Sequence, residues 1–146
     1  TSSGSTTTYT APATAQGVTL TATSTTDTSI DDSVSLTVSD SGDTTPPAAP
    51  ANLLATGGDG SVSLTWDDNT ETDLDGYDVY RGTSSGFSPN VGNRLNTNLL
   101  TSSDYTDTSV TNGTTYYYLV SAVDTSNNVS MASNEDSATP QATPGT

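Results

Sequence analysis

The hexapeptide Ser-Val-Ser-Leu-Thr-Trp at residues 61–66 decides the fold. Its apolar side chains, Val62, Leu64 and Trp66, occupy every second position, and hydroxyl residues lie between them. Successive side chains of a β-strand point to opposite faces of a sheet, so this alternation predicts a strand with one buried face. Strong helix formers are scarce in the rest of the chain, which favours an all-β fold.

The same alternation recurs in two further segments. The first contains Tyr77 and Val79 after Gly76, and the second follows the Asn112-Gly113 turn signal. The second segment places four side chains on one face: Tyr116, Tyr118, Val120 and Ala122. Weaker strand candidates, bounded by Gly, Asn, Asp or Pro, are residues 51–55, 95–100, 105–110 and 129–138. Seven short strands separated by turns predict a β-sandwich.

The composition alone would argue against any fold. Hydrophobic residues make up 29% of the 146 residues, and the formal net charge is −15. Such chains have too little apolar surface to offset the conformational entropy lost on folding. Alternation changes this expectation for residues 48–138, because nearly all of their apolar side chains can point inward.

The residue inventory excludes several classes of function. The chain has no Cys and no His, which removes disulfides, thiolate metal sites and the usual general base. Only Arg81 and Arg94 are basic, against 17 acidic residues, so neither nucleic acid nor anionic lipid is an expected partner. No apolar run is long enough to cross a bilayer, so membrane insertion is not expected. No catalytic residue, cofactor or metal ligand is predicted.

The acidic charge indicates the environment of the protein and not a particular partner. It suits a protein of a high-salt environment, a secreted protein that meets calcium, or a solubility device, and we favour the halophilic hypothesis. The first ten residues lack the basic and apolar regions of a signal peptide, and the chain does not begin with Met. We expect a mature or excised fragment of an extracellular or cell-surface protein.

Residues 44–140 resemble a fibronectin type III domain of the secreted bacterial or archaeal kind. The motifs that carry the resemblance are TTPPAAPANLLAT at 44–56, SVSLTW at 61–66, DLDGYDVYRG at 73–82, VTNGTTYYYLVSAVDTSNNVS at 110–130 and ATP at 138–140. The resemblance implies that Trp66 is the buried tryptophan of the second strand and that Tyr77 and Val79 line the third. It also implies that Tyr116 is a tyrosine corner, with its hydroxyl bonded to the backbone within 110–113.

Residues 1–43 are different. GVTLTATS at 17–24 and SVSLTV at 33–38 resemble the last strands of a bacterial or archaeal Ig-like domain. About 40 residues is less than half of such a sandwich, so this segment needs strands from a missing upstream half or from another subunit. The predicted organisation is a partial Ig-like segment with its linker at 1–43, the type III domain at 44–140 and a Pro/Thr linker tail at 141–146.

Three groups of side chains are candidates for binding. Six acids around the loop after the hexapeptide suggest Ca²⁺: Asp67, Asp68, Glu71, Asp73, Asp75 and Asp78. Gly82 stands where an EF-hand needs its bidentate acid, so no metal site is predicted. Tyr80 and Tyr117 are predicted to point outward, where they form either a small sugar platform or, as we favour, sheet packing. Asn112 and Asn128 begin glycosylation sequons.

The last motif with a possible partner is Arg81-Gly-Thr83. It lacks the Asp of the integrin tripeptide, and Arg81 is expected to form a weak surface ion pair.

The sequence favours a non-catalytic structural or adhesive module. In one version it is a filament subunit joined to like subunits by β-strand complementation. The alternatives are an accessory spacer or carbohydrate-binding module of a secreted polysaccharide-degrading enzyme, and a viral tail or capsid decoration domain. Expected partners are neighbouring modules or like subunits, with a glycan left open.

Overall fold

Two three-stranded antiparallel sheets make up a computed structural model that describes residues 42–144. The strands are β1 (Leu54–Gly58), β2 (Ser61–Thr65), β3 (Leu74–Gly82), β4 (Asp104–Asp107), β5 (Tyr116–Asp124) and β6 (Asp136–Ala138). The sheet orders are β1-β2-β4 and β3-β5-β6. The all-β sandwich predicted from alternation is confirmed. No helix among these residues is long and apolar enough to cross a membrane.

The hexapeptide forms β2 and supplies the centre of the first sheet. Val62 and Leu64 are fully buried, and each is paired across the ladder with a residue of β4. Trp66 lies one residue beyond the strand and is buried, with its ring edge-on to Tyr77 at a centroid distance of 5.3 Å. The core joins both sheets through Val79, Tyr118, Val120 and other alternate side chains of β3 and β5.

The weaker strand predictions need correction. β1 begins at Leu54 and not at Ala51, because Asn52 adopts a left-handed backbone (φ 56°) that a strand cannot contain. Residues 95–100 form no strand. Their backbone bonds β3 only at Leu95 and Leu100. Between these two, the Asn96 side chain bonds β3: its Oδ1 accepts from Val79 N and its Nδ2 donates to Tyr77 O. Six strands are therefore present in residues 42–144 where seven were expected.

The tyrosine corner is confirmed. Thr111 N–H donates to the hydroxyl of Tyr116 at 3.2 Å, within the backbone stretch that the resemblance implied. The guanidinium of Arg81 lies 5.1 Å from the ring centroid of Tyr116, close enough for a cation–π contact.

Arg81 is not a weak surface pair, contrary to the sequence expectation. Its Nη1 lies 2.7 Å from Asp107, which is only 2% exposed. The same carboxylate accepts from the Tyr118 hydroxyl at 3.1 Å and from Ser109 N at 2.9 Å. Burial, reinforced by Asp107, raises the pKa of Tyr118. The network closes one end of the core with polar contacts.

The segment around β1 runs parallel to the chain around β6. Three hydrogen-bonded pairs join them, and the residue numbers increase together on both sides: Leu53 with Asn134, Ala55 with Asp136, and Gly58 with Gln141. In the first two pairs a side-chain oxygen accepts from a backbone N–H, that of Leu53 just before β1 at 3.0 Å and that of Ala55 within β1 at 2.8 Å. A Cβ on Gly57 would come within 2.8 Å of the Thr139 carbonyl, so this close approach requires glycine.

The predicted Ig-like segment and its strand complementation concern residues 1–43, nearly all of which lie outside the described residues. They stay predictions.

The polar network predicts a large effect of one substitution. Arg81→Met should lower the free energy of unfolding by about 3 kcal/mol, because it leaves the Asp107 charge buried without its cation. Urea unfolding followed by the fluorescence of Trp66, the single tryptophan, measures this. Adding Asp107→Asn to Arg81→Met should recover part of the loss. A cost below about 0.5 kcal/mol, typical of exposed pairs, would contradict the network.

Candidate functional site

The six acids proposed as calcium ligands do not gather at one point. Four of them have partners in different segments: Asp67 with Asn52, Asp68 with Ser103, Glu71 with Ala48, and Asp78 with Arg94. Among residues 42–144, these six supply no group of three carboxylates within 4.8 Å of one another. The four with these partners hold loops of the module.

The two tyrosines considered as a sugar platform are less exposed than the alternation predicted. Tyr80 lies on the outward face of β3 but is only 8% exposed, and Tyr117 is half-buried. Burial raises the pKa of Tyr80, with a further contribution from neighbouring Asp78. Arg94, which pairs with Asp78 at 3.1 Å, extends over the same region. Tyr80 therefore packs on the sheet, as the favoured interpretation expected.

An open cleft of about 550 Å³ lies beside the end of β3. Both of the chain's basic residues, Arg81 and Arg94, line it, together with Phe87 and Leu95. None of the described residues that line it is acidic. The Phe87 ring rests on Gly82, where a Cβ would approach it to 2.5 Å. The cleft thus combines an aromatic surface with cationic donors in an otherwise acidic chain.

The leading segment, residues 47–52, is bonded to the loop after β2. Ala48 N–H donates to Glu71 Oε1 at 2.6 Å, and Asn69 Nδ2 donates to Ala48 O at 2.9 Å. Pro47 and Pro50 are buried. The hydrogen bond from Ala48 lowers the pKa of Glu71. The chain is therefore fixed against the sandwich before β1 begins.

The trailing segment, residues 140–143, is bonded to the turn before β2. Gln141 N–H donates to Gly58 O at 3.0 Å, and Thr143 donates to Asp59 Oδ2 through both its backbone N–H and its hydroxyl, each at 3.2 Å. The pKa of Asp59 is lowered, first by a hydrogen bond from Asn112 and then by that from Thr143 N. The two segments thus attach beyond opposite ends of β2.

The two sequon asparagines use their amides within the fold. Asn112 Nδ2 donates to Asp59 at 2.7 Å, and Asn128 Nδ2 donates to Asp124 at 2.8 Å. Burial would raise the pKa of Asp124, but the bonds from Asn128 and Ser126 lower it on balance. Glycosylation at either position would have to displace a hydrogen bond of the module.

A solved structure decides the family. The Fn3-like protein from Clostridium thermocellum is 34% identical and superposes with a TM-score of 0.53, over 66% of this chain and 97% of that one. The chain belongs to the fibronectin type III family. No family model matches the sequence.

Curated relatives show where such domains occur. Exoglucanase B of Cellulomonas fimi is 45% identical over 95 residues, which are 62% of this chain and 8% of the relative. An amylopullulanase of Thermoanaerobacterium saccharolyticum is 38% identical over 104 residues, which are 70% of this chain and 8% of the relative. The chain spans less than a tenth of either. These matches support the accessory-module alternative and not the filament subunit.

The contacts of the leading and trailing segments do not follow from the sequence pattern. The pairs Asp59-Gly60 and Asn112-Gly113 indicate turns, but turn chemistry does not indicate which distant residue bonds the turn. Their partners lie more than 50 residues away along the chain, and no local pattern indicates such pairing.

The lowered pKa values of Glu71 and Asp59 predict that acid releases the leading and the trailing segment, respectively. A carboxylate whose pKa falls on folding stabilises the fold above its ordinary pKa, and that stabilisation is lost as pH falls through the lowered value. In an NMR titration, the Ala48 amide should report a midpoint below 4.5, the ordinary value for Glu71. The Thr143 amide should report one below 3.8, the ordinary value for Asp59.

Glu71→Gln is the control. It should abolish the titration at Ala48 and leave that at Thr143 unchanged. Midpoints at the ordinary values would argue against the two attachments.

Proposed function

We propose that the chain is a non-catalytic accessory module of a secreted polysaccharide-degrading enzyme, where it sets the distance between neighbouring domains. The proposal is supported by its relatives, which carry similar sequence as a small part of enzymes named exoglucanase and amylopullulanase. A segment shared by enzymes with different names fits a role common to both.

The attachment of the leading and trailing segments carries the spacer role. A flexible linker allows neighbouring domains to reorient, whereas a segment hydrogen-bonded to the sandwich fixes the direction in which the chain leaves it. Here Glu71 and Asn69 hold the leading segment, and Asp59 and Gly58 hold the trailing segment. Since these contacts lie beyond opposite ends of β2, the module acts as a stiff rod.

The acidic side chains support a non-catalytic role. A catalytic acid needs a cleft and a raised pKa, and glycosidases set such an acid opposite a second, ionised carboxylate across the scissile bond. The carboxylates of Asp59 and Glu71 have lowered pKa values instead and accept bonds from the module's own backbone. The cleft beside β3 has no acidic residue among those described.

A distance measurement tests the spacer. The chain has no Cys, so Ala49→Cys and Ala142→Cys, one in each attached segment, can carry two spin labels without competing sites. Pulsed electron resonance should give one narrow distance distribution. Glu71→Ala or Asp59→Ala should broaden it, because each frees one segment.

Asp104→Ala is the matched control, since it removes an exposed acid that bonds neither attached segment and should leave the distribution narrow. In the full-length protein, replacing the module with a Gly/Ser linker should lower activity on insoluble polysaccharide and not on soluble oligosaccharides. A broad distribution in the unaltered chain, or unchanged activity on the insoluble substrate, would overturn the proposal.

The cleft beside β3 favours a second candidate function, contact with a neutral glycan. The ring of Phe87 offers a stacking surface for a pyranose, and Arg81 and Arg94 offer guanidinium N–H donors to its hydroxyls. Each arginine has one nitrogen, Nη1, engaged with a carboxylate. The volume of about 550 Å³ accommodates one or two sugar units.

Calorimetry with cellohexaose and maltohexaose tests this second function. We expect binding of roughly millimolar Kd to one of them. Phe87→Ala should abolish it, while Val91→Ala, in the same loop and 86% exposed, should not. Melting temperatures identify any variant that loses its fold. Absence of heat with both oligosaccharides would refute glycan contact at the cleft.

A further inference from the structure

Asn112-Gly113 is the one Asn-Gly pair in the sequence. In flexible chains this dipeptide loses its side-chain amide spontaneously, because glycine has no Cβ to hinder attack of its backbone nitrogen on the asparagine side chain. Both residues are exposed in this fold, and Gly113 has a φ of 83°. Neither the sequence of this pair nor its exposure protects it from losing the amide.

The groups that must react are nevertheless all held by hydrogen bonds. Gly113 N–H, the nitrogen that attacks, donates to Pro140 O at 2.8 Å. The Asn112 side chain is fixed on both sides: Nδ2 donates to Asp59 Oδ1 at 2.7 Å, and Oδ1 accepts from Gly60 N at 2.8 Å. Asp59 in turn holds Thr143. The trailing segment therefore contacts both the attacking nitrogen of Gly113 and the Asp59 carboxylate, which orients the Asn112 side chain.

We propose that Asn112 is a gated deamidation site, inert while the trailing segment is seated on the β1–β2 turn and reactive when that segment leaves. Release of Pro140 exposes Gly113 N–H to base. Release of Thr143 removes the two bonds that hold Asp59, the acceptor of the Asn112 amide. The bond that covers the attacking nitrogen and the bonds that steady Asp59 both come from the segment after β6, so the state of the trailing segment controls the chemistry.

The reaction balances without any added oxidant or cofactor. Gly113 N loses its proton and attacks Asn112 Cγ, a new N–Cγ bond forms, and the Cγ–Nδ2 bond breaks. Ammonia leaves with the proton, and a succinimide remains. Water then opens the succinimide to aspartate or isoaspartate, so the net change is one amide and one water to one carboxylate and one ammonium ion.

The product could not restore the hydrogen bond between residue 112 and Asp59. A carboxylate at position 112 cannot donate to Asp59, and two carboxylates would face one another at the former distance of 2.7 Å. Like charges so close repel, and the chain already carries a net charge of −15. Deamidation therefore converts a reversible release of the trailing segment into a permanent one.

Peptide mapping by mass spectrometry in mildly alkaline buffer tests the gate in the full chain. Asn112 should convert at least about tenfold more slowly in the native chain than in the same chain in urea, since reaction requires the open state. Equal rates in the two conditions would overturn the proposal. This comparison needs no variant and does not depend on the spacer role.

Gln141→Pro isolates the role of the trailing segment, because proline lacks the N–H that bonds Gly58. We expect faster conversion of Asn112 than in the matched control Gln141→Ala, which keeps that N–H. Trp66 fluorescence verifies that both variants remain folded. Identical rates in two folded variants would show that the segment is not the gate.

Permanent release of the trailing segment after deamidation is tested by comparing Asn112→Asp with Asn112→Ala. Both remove the bond to Asp59, but only the first adds a charge. Amide hydrogen exchange at Thr143 should be faster in Asn112→Asp, and added salt should reduce the difference between the two. Exchange at Thr143 that is unchanged in Asn112→Asp would contradict permanent release.

Discussion

The core of this module is built from few apolar side chains, and the sandwich closes because the strands concentrate them on its inward faces. Val62 and Leu64 from one sheet meet Val79, Tyr118 and Val120 from the other, all of them fully or almost fully buried. With 29% hydrophobic residues there is no surplus to cover the ends of the sheets. At one end the gap is filled by the ion pair of Arg81 and Asp107. Such a pair gains little net stability over apolar packing, but losing either partner is expensive.

Polar side chains extend the hydrogen bonding of the strands beyond their backbone ladders. Asn96 bonds the edge of β3 between the backbone bonds of Leu95 and Leu100. Asn134 and Asp136 bond the amides at the start of β1. Asx side chains suit this role because their oxygens and amides imitate the peptide group at short reach. Each such bond satisfies a buried or half-buried backbone donor, so the polar residues stabilise the fold and do not only solvate it.

Alternation was enough to predict the strands that run through the core. β2 and the inward faces of β3 and β5 follow from the placement of residues such as Leu64, Val79 and Tyr118, and the tyrosine corner follows from the family resemblance. The contacts of Asn96, Arg81 and the terminal segments did not follow. Their partners are chosen by which loops the fold brings together, and an Asp or Asn has the same local signature whether it is solvated or bonded to a distant amide. For Tyr80, period-two alternation assigned the outward face but not what covers that face, so its sheet packing was an interpretation that only the structure could confirm.

The parallel run of β1 beside the last strand determines how force would pass through the module. The leading segment enters β1, and the trailing segment leaves the strand alongside it, so pulling the two ends apart slides β1 past its neighbour. Sliding loads the bonds of Leu53, Ala55 and Gly58 together, whereas peeling would break them one at a time. Glycine at position 57 keeps the two strands close enough for those bonds to share the load. A domain joined in this way resists extension along its length more than its small core suggests, which is the property that the proposed spacer role would use.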